Sequence, residues 1–343
     1  MASTITAFAP GRVNLIGEHT DYNGGLSLPF AIAGGITVKA IAVPGDRIEA
    51  DACDLGESDS FSVHAAERQP GWRAFVRGTV AELVDSGVRL GGTQLEISGN
   101  LSPGGGLSSS AALGVSLALA LSALAGHTEP DRIELAKLCS RVENGWVGAR
   151  TGLLDQLASL FGEQGCAVRI DFRSLAIERV PLEIGDCRFV LLDSGERHAN
   201  AGSGYNRRRE ECARAAQLLG IDTLREADPD GVERLPSPLA DRARHVLSEN
   251  ARVIKAVEAL RAGDPAVLGQ LLNDSHESLR DRFEVSTAAV ERARARLLEV
   301  GAVGARLVGG GFGGNVLGLM PPRGDLPKGA REITAGPGAA LCD

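Results

Sequence analysis

Leu101-Ser102-Pro103-Gly104-Gly105-Gly106-Leu107-Ser108-Ser109-Ser110-Ala111-Ala112-Leu113 sets three glycines ahead of a serine triplet and an apolar run that continues to Ala125. Consecutive glycines let a turn present its N–H groups without Cβ obstruction, including at positive φ. Serine is favoured where a helix begins, and the run from Ala111 is rich in good helix formers. Unpaired N–H groups and the helix macrodipole converge at such a start, which makes it an anion site, and a polyphosphate is the ligand that fits. The loop matches neither GxxxxGK[ST], since no lysine follows the glycines, nor GxGxxG. A nucleotide is therefore expected here, bound by neither of the two commonest routes.

The rest of the chain bounds that reading. Its 343 residues suffice for two domains with sizeable cores. The formal net charge is −8, and the densest basic run, Arg207-Arg208-Arg209, is followed at once by Glu210 and Glu211. That excludes a nucleic-acid partner on charge grounds. Lysine occurs only at positions 39, 137, 255 and 328, so arginine carries the positive charge. Six cysteines without CxxC pairing read as reduced thiols. With no basic n-region followed by an apolar core, and no apolar run long enough for a bilayer, the expectation is a soluble cytoplasmic protein without a membrane partner.

Short apolar runs with turn punctuation from Ile5 to Phe30 read as strands, as do Ile36–Val43 and Gln94–Ile97. Helical spacing runs from Phe75 to Ser86, from Ser110 through the apolar stretch, and again after Asp131. Gly165–Asp171 and Arg188–Asp193 read as strands, the second ended by Asp193-Ser194-Gly195. A helical stretch follows from Asn206 to about Arg280. Strands at Ala305–Val308 and Val316–Met320 enclose a glycine loop, and the tail beyond Pro321 is weakly patterned. A domain boundary is placed near Pro181, giving units of residues 1–180 and 181–343.

Three constellations carry chemistry. In Gly11-Arg12-Val13-Asn14-Leu15-Ile16-Gly17-Glu18-His19-Thr20-Asp21-Tyr22-Asn23-Gly24-Gly25, two carboxylates and an imidazole crowd into four positions. They supply the donors and acceptors that vicinal sugar hydroxyls need, and they also suit a solvated Asp/Asn turn. In Thr151-Gly152-Leu153-Leu154-Asp155-Gln156-Leu157, Asp155 stands in an apolar helical pattern, where it needs a partner or a proton. It can serve as a general base or as a capping or ion-paired residue. Glu143, near the end of the preceding helix, opposes the dipole and either marks a nearby cation or lies at the surface. Third, Gly309-Gly310-Gly311-Phe312-Gly313-Gly314 has five glycines in six positions, which implies close approach of a ligand or another backbone. The other histidines share no metal-ligand spacing.

Together these segments resemble the galactokinases, within the GHMP family of small-molecule kinases. GRVNLIGEHTDYNGG resembles the galactokinase signature, PGGGLSSSAAL the family's nucleotide motif and GGGFGG its third motif. GLLDQLASLFG is similar to the segment carrying the catalytic aspartate, and Ser275–Ser286 matches a further galactokinase stretch. The likeness runs in order from about residue 7 to 320. It implies an α+β fold of two domains, GHMP kinase-like, with the active site in the cleft between the N- and C-terminal domains. It also implies that Asp155 takes the proton from the anomeric O1 hydroxyl, while Arg12 holds Asp155 as a carboxylate and stabilises charge on the transferred group. Glu18, His19, Thr20, Asp21, Gly152 and Tyr205 would bind the sugar. Gly104, Gly105, Gly106, Leu107, Ser108, Ser109 and Ser110 would cradle ATP, and Ser110 and Glu143 would hold Mg²⁺. Galactose and ATP are the expected partners, with no obligate protein partner.

The sequence departs from the family pattern in places. Thr287-Ala288-Ala289-Val290 stands where Pro-Glu-Leu-Asp is usual, Thr151 replaces a common cysteine, and Leu153-Leu154 replaces Ile-Met. Fewer residues precede the signature than in most galactokinases, and the C-terminal tail looks shorter. None of these removes a proposed catalytic residue. They leave room for a kinase of a related sugar, N-acetylgalactosamine or L-arabinose, or for a non-catalytic galactose sensor.

Overall fold

The run Ala111–Ala123 is apolar on every side, and the helix that contains it is buried on every side. In the computed structural model, which describes residues 3–101, 106–197 and 201–342, this helix is the centre of the N-terminal half. The order there is β1 (Thr4–Asn14), β2 (Leu26–Ser27), β3 (Pro29–Ala42), β4 (Arg47–Ala52), β5 (Glu57–Ser62), α1 (Trp72–Asp85), β6 (Thr93–Gly99), α2 (Ser109–Leu124), α3 (Arg132–Val142), α4 (Leu154–Phe161), β7 (Cys166–Asp171) and β8 (Ala176–Pro181). The C-terminal half runs β9 (Arg188–Arg197), α5 (Ala201–Leu219), α6 (Pro229–Val232), α7 (Leu239–Ala262), α8 (Pro265–Asp281), α9 (Ala288–Glu299), β10 (Gly304–Leu307), β11 (Gly313–Met320), β12 (Ala330–Ile333) and β13 (Ala340–Cys342).

A six-stranded sheet in the order β13-β1-β3-β6-β4-β5 is antiparallel except where β4 lies parallel to β6. The first core, including Val38, Leu95, Val115 and Leu121, fills the space between this sheet and α1–α4. A four-stranded sheet, β10-β11-β9-β12, backs onto α5, α7 and α9 through a core that includes Phe283, Leu297 and Val316. A further core joins the halves: Val13, Leu15 and Leu28 pack with Val253 and Leu260 of α7, Leu272 of α8 and Leu317 of β11. That shared core fixes the cleft between the two sheets. No helix among the described residues is long and apolar enough to cross a membrane.

Two elements differ from the sequence expectation. β9 does not end at Asp193-Ser194-Gly195 but continues to Arg197, absorbing an irregularity opposite Gly313 and Asn315 with Gly195 at φ +75°. The tail is not unpatterned: β12 pairs with β9, and β13 returns to the N-terminal half to pair Thr6–Phe8 of β1.

Candidate active site

β1 carries an irregularity in register between Pro10 and Arg12. A bulge of this kind re-aims the side chain that follows it. Gly11 permits it, since a Cβ there would lie 2.5 Å from the Leu107 carbonyl oxygen. Arg12 thereby reaches across to α4. Its Nε donates to Asp155 Oδ1 at 2.7 Å, its second terminal nitrogen lies 2.6 Å from the same oxygen, and Nη1 donates to the Gly106 carbonyl at 2.7 Å. The other carboxylate oxygen of Asp155 accepts from the Ser108 hydroxyl. Asp155 sits in the first turn of α4, where the helix dipole attracts negative charge.

Beside this pair lies a second oxygen cluster. α3 ends at Val142 and passes into a single wide turn, Glu143–Val147, of the π type often found at functional sites. Glu143 is buried there. Its Oε1 accepts from Ser110 Oγ at 3.0 Å, and its Oε2 accepts from Thr151 Oγ1 at 2.9 Å and Gln156 Nε2 at 2.8 Å. All three donors are neutral. Burial, reinforced by the nearby Asp155 charge, raises the Glu143 carboxyl above its usual range.

The signature segment turns Glu18, His19 and Asp21 toward the same cleft. Gly152 lies against Asp21 so closely that a Cβ would be 1.9 Å from Oδ2. Removal from water pushes Asp21 up to about 6, with Asp155 and Glu18 adding to the rise. Glu18 Oε1 accepts from the Gly309 N–H at 2.8 Å and lies 3.1 Å from a terminal nitrogen of Arg306, and burial raises its carboxyl despite that guanidinium. His19, at φ +62°, meets the Tyr22 hydroxyl through Nδ1 at 2.9 Å and packs on Phe283, ring centroids 4.6 Å apart. Burial drops its ring to about 3, so it is neutral near pH 7. Tyr205 of α5 faces His19 at 5.4 Å.

The cleft has a volume of about 540 Å³, within the size range of small-molecule sites. Arg12, Glu18, His19, Asp21, Gly106, Gly152, Asp155 and Tyr205 all line it, together with the third glycine loop from Gly309 to Gly314. Ser108, Ser109 and Ser110 stand at the start of α2 beside it. Leu107 is buried with its side chain in the shared core, and its carbonyl accepts from the Arg12 N–H, so it anchors the loop. Gly104 and Gly105 lie outside the described residues. Thr20 is not at the cleft: its hydroxyl bonds the Gly17 and Leu26 carbonyls and Ser27, which braces the signature turn instead. The glycine loop meets the closeness expected of it, for a Cβ at Gly311 would lie 2.6 Å from Val285 and one at Gly310 2.8 Å from Tyr205.

The sequence reading assigned no role to Arg306 or Phe283. Arg306 is wholly buried on β10 and donates to the Asn14 and Leu15 carbonyls as well as facing Glu18. An arginine inside an apolar strand directly before a glycine loop was the available signal. Phe283 lies between His19 and His245, and the next residue but one, Val285, accepts from the Phe312 N–H of the third glycine loop. The quoted stretch Ser275–Ser286 is thus the brace that ties the signature to that loop.

Family comparisons agree with this geometry. Residues 2–41 match the galactokinase galactose-binding signature, residues 74–163 the GHMP kinases N terminal domain, and residues 256–337 the GHMP kinases C terminal model. A galactokinase from Thermotoga petrophila is 41% identical over 327 residues, covering 95% of this chain and 91% of that one. One from Mycobacterium tuberculosis is 42% identical over 331 residues, covering 93% and 89%. Among solved structures, Lactococcus lactis galactokinase complexed with galactose superposes with a TM-score of 0.91 at 30% identity, covering 98% of this chain and 95% of that one. Methanococcus jannaschii mevalonate kinase shares the fold, with a TM-score of 0.70 at 17% identity over 98% and 99% of the two chains. The α+β fold with its glycine-loop cleft is that of a GHMP kinase, an ATP-dependent phosphotransferase. Within that class, the chain belongs to the galactokinase family of sugar kinases.

Proposed function

We propose that the chain transfers the γ-phosphate of ATP to the anomeric O1 hydroxyl of D-galactose, giving galactose 1-phosphate and ADP. The observation that carries this reading is the Arg12–Asp155 pair, set in one cleft between the Glu18-His19-Asp21 cluster and the glycine loop ahead of α2. Phosphoryl transfer asks chiefly for positioning and charge stabilisation with the nucleophile in line. Asp155 accepts the O1 proton as the O1–phosphorus bond forms, while the bond from phosphorus to the β,γ-bridging oxygen breaks and ADP leaves with that electron pair. Arg12, held against both Asp155 and the Gly106 carbonyl, is fixed in place to offset negative charge on the transferred group. Glu18, neutral His19, Asp21 and Tyr205 hold the sugar. Gly152 leaves room for Asp21, and Gly106 with the Ser108–Ser110 segment faces the nucleotide. The division into units of 1–180 and 181–343 belongs to the same reading. The sheet and helices before Pro181 and those after it support that division, with β13 crossing back.

The oxygens around Glu143 fit Mg²⁺. Hydroxyl and carboxylate are the donors a hard cation prefers, Mg²⁺ takes few protein ligands beside phosphates, and a buried carboxylate with only neutral donors gains from a cation. Among the described residues no group of three or more His, Cys, Asp and Glu gathers as a metal site, which such sparse ligation does not require. Ser110 and Glu143 would hold the ion, which when bound neutralises charge on the ATP phosphates. We expect Glu143→Gln to raise the Mg²⁺ concentration for half-maximal rate by about 10- to 100-fold. An unchanged Mg²⁺ dependence would remove Glu143 from this role.

Asp21 gives the reading a pH signature. Its folded-state value of about 6 lies above the ordinary carboxyl value, so the group gains a proton as pH falls through 6 and is a carboxylate above it. A protonated acid accepts fewer sugar hydroxyls than a carboxylate. Lowering the pH from about 7.5 to about 5.5 should therefore raise the KM for galactose several-fold and leave the KM for ATP nearly constant. Parallel changes in both constants would contradict this. The activity itself is tested by coupled ADP release across a panel of D-galactose, N-acetylgalactosamine and L-arabinose. Galactose should give the highest kcat/KM. A preference for another sugar would reassign the substrate, and no sugar-dependent ADP release would make the chain a binding protein.

A further inference from the structure

Ser108 combines two features that the reading above leaves unused. It holds φ +59°, ψ +44°, the left-handed conformation uncommon for a residue with a Cβ. Such backbone persists where the surroundings over-determine it, often at functional sites. Yet its hydroxyl does not cap α2, the use expected of a serine in that place. It donates to Asp155 Oδ2 instead, while Arg12 occupies Oδ1. Ser108 is buried, at 9% exposure, while Asp155 lines the cleft.

We infer that Ser108 is a positioning residue whose hydroxyl fixes the second carboxylate oxygen of Asp155 and does not bond ATP phosphate, although its backbone stands in the segment that faces the nucleotide. A serine hydroxyl has one proton to donate. Phosphate oxygens and carboxylate oxygens are both acceptors, so the proton given to Asp155 is not available to a phosphate. With Arg12 on one oxygen and Ser108 on the other, rotation of the carboxylate about its Cβ–Cγ bond is blocked. Asp155 itself lines the cleft beside Asp21 and Gly152. The left-handed backbone at Ser108 is what turns the hydroxyl back from the start of α2 toward α4. Hence the segment leading into α2 has two tasks divided between neighbours: Ser110 turns toward Glu143, and Ser108 turns toward Asp155.

The inference rests on Asp155 being the proton acceptor, and the test separates the two. Ser108→Ala and Ser108→Gly both remove the hydroxyl, while glycine suits the left-handed backbone and protects the fold. With the full chain, kcat with galactose should fall about 10- to 100-fold in both variants, the size of one lost hydrogen bond to a charged group. ADP affinity by calorimetric titration, and the KM for ATP, should stay within about twofold of wild type, because no phosphate contact is lost. Ser108→Gly should keep a single cooperative melting transition and wild-type circular dichroism, which excludes misfolding as the cause. Either a kcat within twofold of wild type, or a tenfold or greater loss of nucleotide affinity, would overturn the inference. Asp155→Asn run alongside discriminates the failures. If it turns over normally, the reading of Asp155 fails and takes this inference with it; if it is inactive while Ser108→Ala is normal, only Ser108 is misassigned.

Discussion

Asp155→Asn is expected to lower kcat by about 10²- to 10⁴-fold, the usual contribution of a positioned general base, with ATP affinity within about twofold of wild type. The amide is nearly the shape of the carboxylate, so α4 and its packing on β1 should survive. Its carbonyl oxygen can still accept from Arg12, and its NH₂ group turns toward Ser108, whose oxygen must then accept where it now donates. What is lost is the capacity to take the O1 proton at the moment the phosphorus bond forms. In the proposed reading Asp155 meets the sugar and not the nucleotide, so nucleotide binding should be spared. Initial rates at saturating substrates, with calorimetric titration of ADP, check both halves. A wild-type kcat would mean that the proton leaves by another path.

Removing Arg306 should have the largest effect on stability. The side chain is fully buried, donates to the Asn14 and Leu15 carbonyls at 3.2 and 2.8 Å, and faces Glu18 Oε1 at 3.1 Å. Arg306→Met strands Glu18 with the Gly309 N–H as its remaining described donor to Oε1 and leaves two carbonyls without these partners. Breaking a buried ion pair from one side costs about 3–5 kcal/mol, since the surviving charge stays desolvated. Glu18 already has its carboxyl raised by burial, and loss of the guanidinium raises it further. Protonation relieves the stranded charge, so the deficit should shrink as the pH falls toward the acid range. Arg306→Met/Glu18→Gln should recover much of the loss for the same reason. Urea unfolding of the wild type, the two single variants and the double variant measures the coupling. Additive losses would show that Arg306 acts only through the two carbonyls.

How much of this was legible in the sequence depends on where each residue's partner lies. The apolar run after Ser110 needs no partner to be recognised, and it became the buried helix α2. Asp131 was readable as a helix start and does cap α3, accepting from the Ile133 and Glu134 N–H groups. Arg12, Asp155, Glu143 and Ser110 could be named because their local motifs are distinctive, and the fold brings Arg12 to Asp155 and Ser110 to Glu143 within hydrogen-bond reach. Less visible was anything decided by a distant strand. β13 is three residues long and makes sense only beside β1, more than 300 positions away. Arg306 reads as an interruption of an apolar strand until Glu18 is seen opposite it. The side-chain directions of Thr20 and Ser108 were hidden in the same way. Both sit inside binding motifs, but one hydroxyl turns to the Gly17 and Leu26 carbonyls and the other to Asp155. Side-chain direction within a loop is set by backbone φ and ψ, and the motif alone does not carry that information.

The most direct test of the proposed activity is the position of the new phosphate. The chain should be incubated with ATP, Mg²⁺ and galactose labelled with ¹³C at C1, and the product followed by ¹³C and ³¹P NMR. If the proposed reading holds and the O1 hydroxyl is the acceptor, the product should show one phosphorus coupled to the labelled anomeric carbon, formed in step with ADP. A phosphorus without that coupling, as in phosphorylation at the 6-hydroxyl, or ADP released without any sugar phosphate, would contradict it.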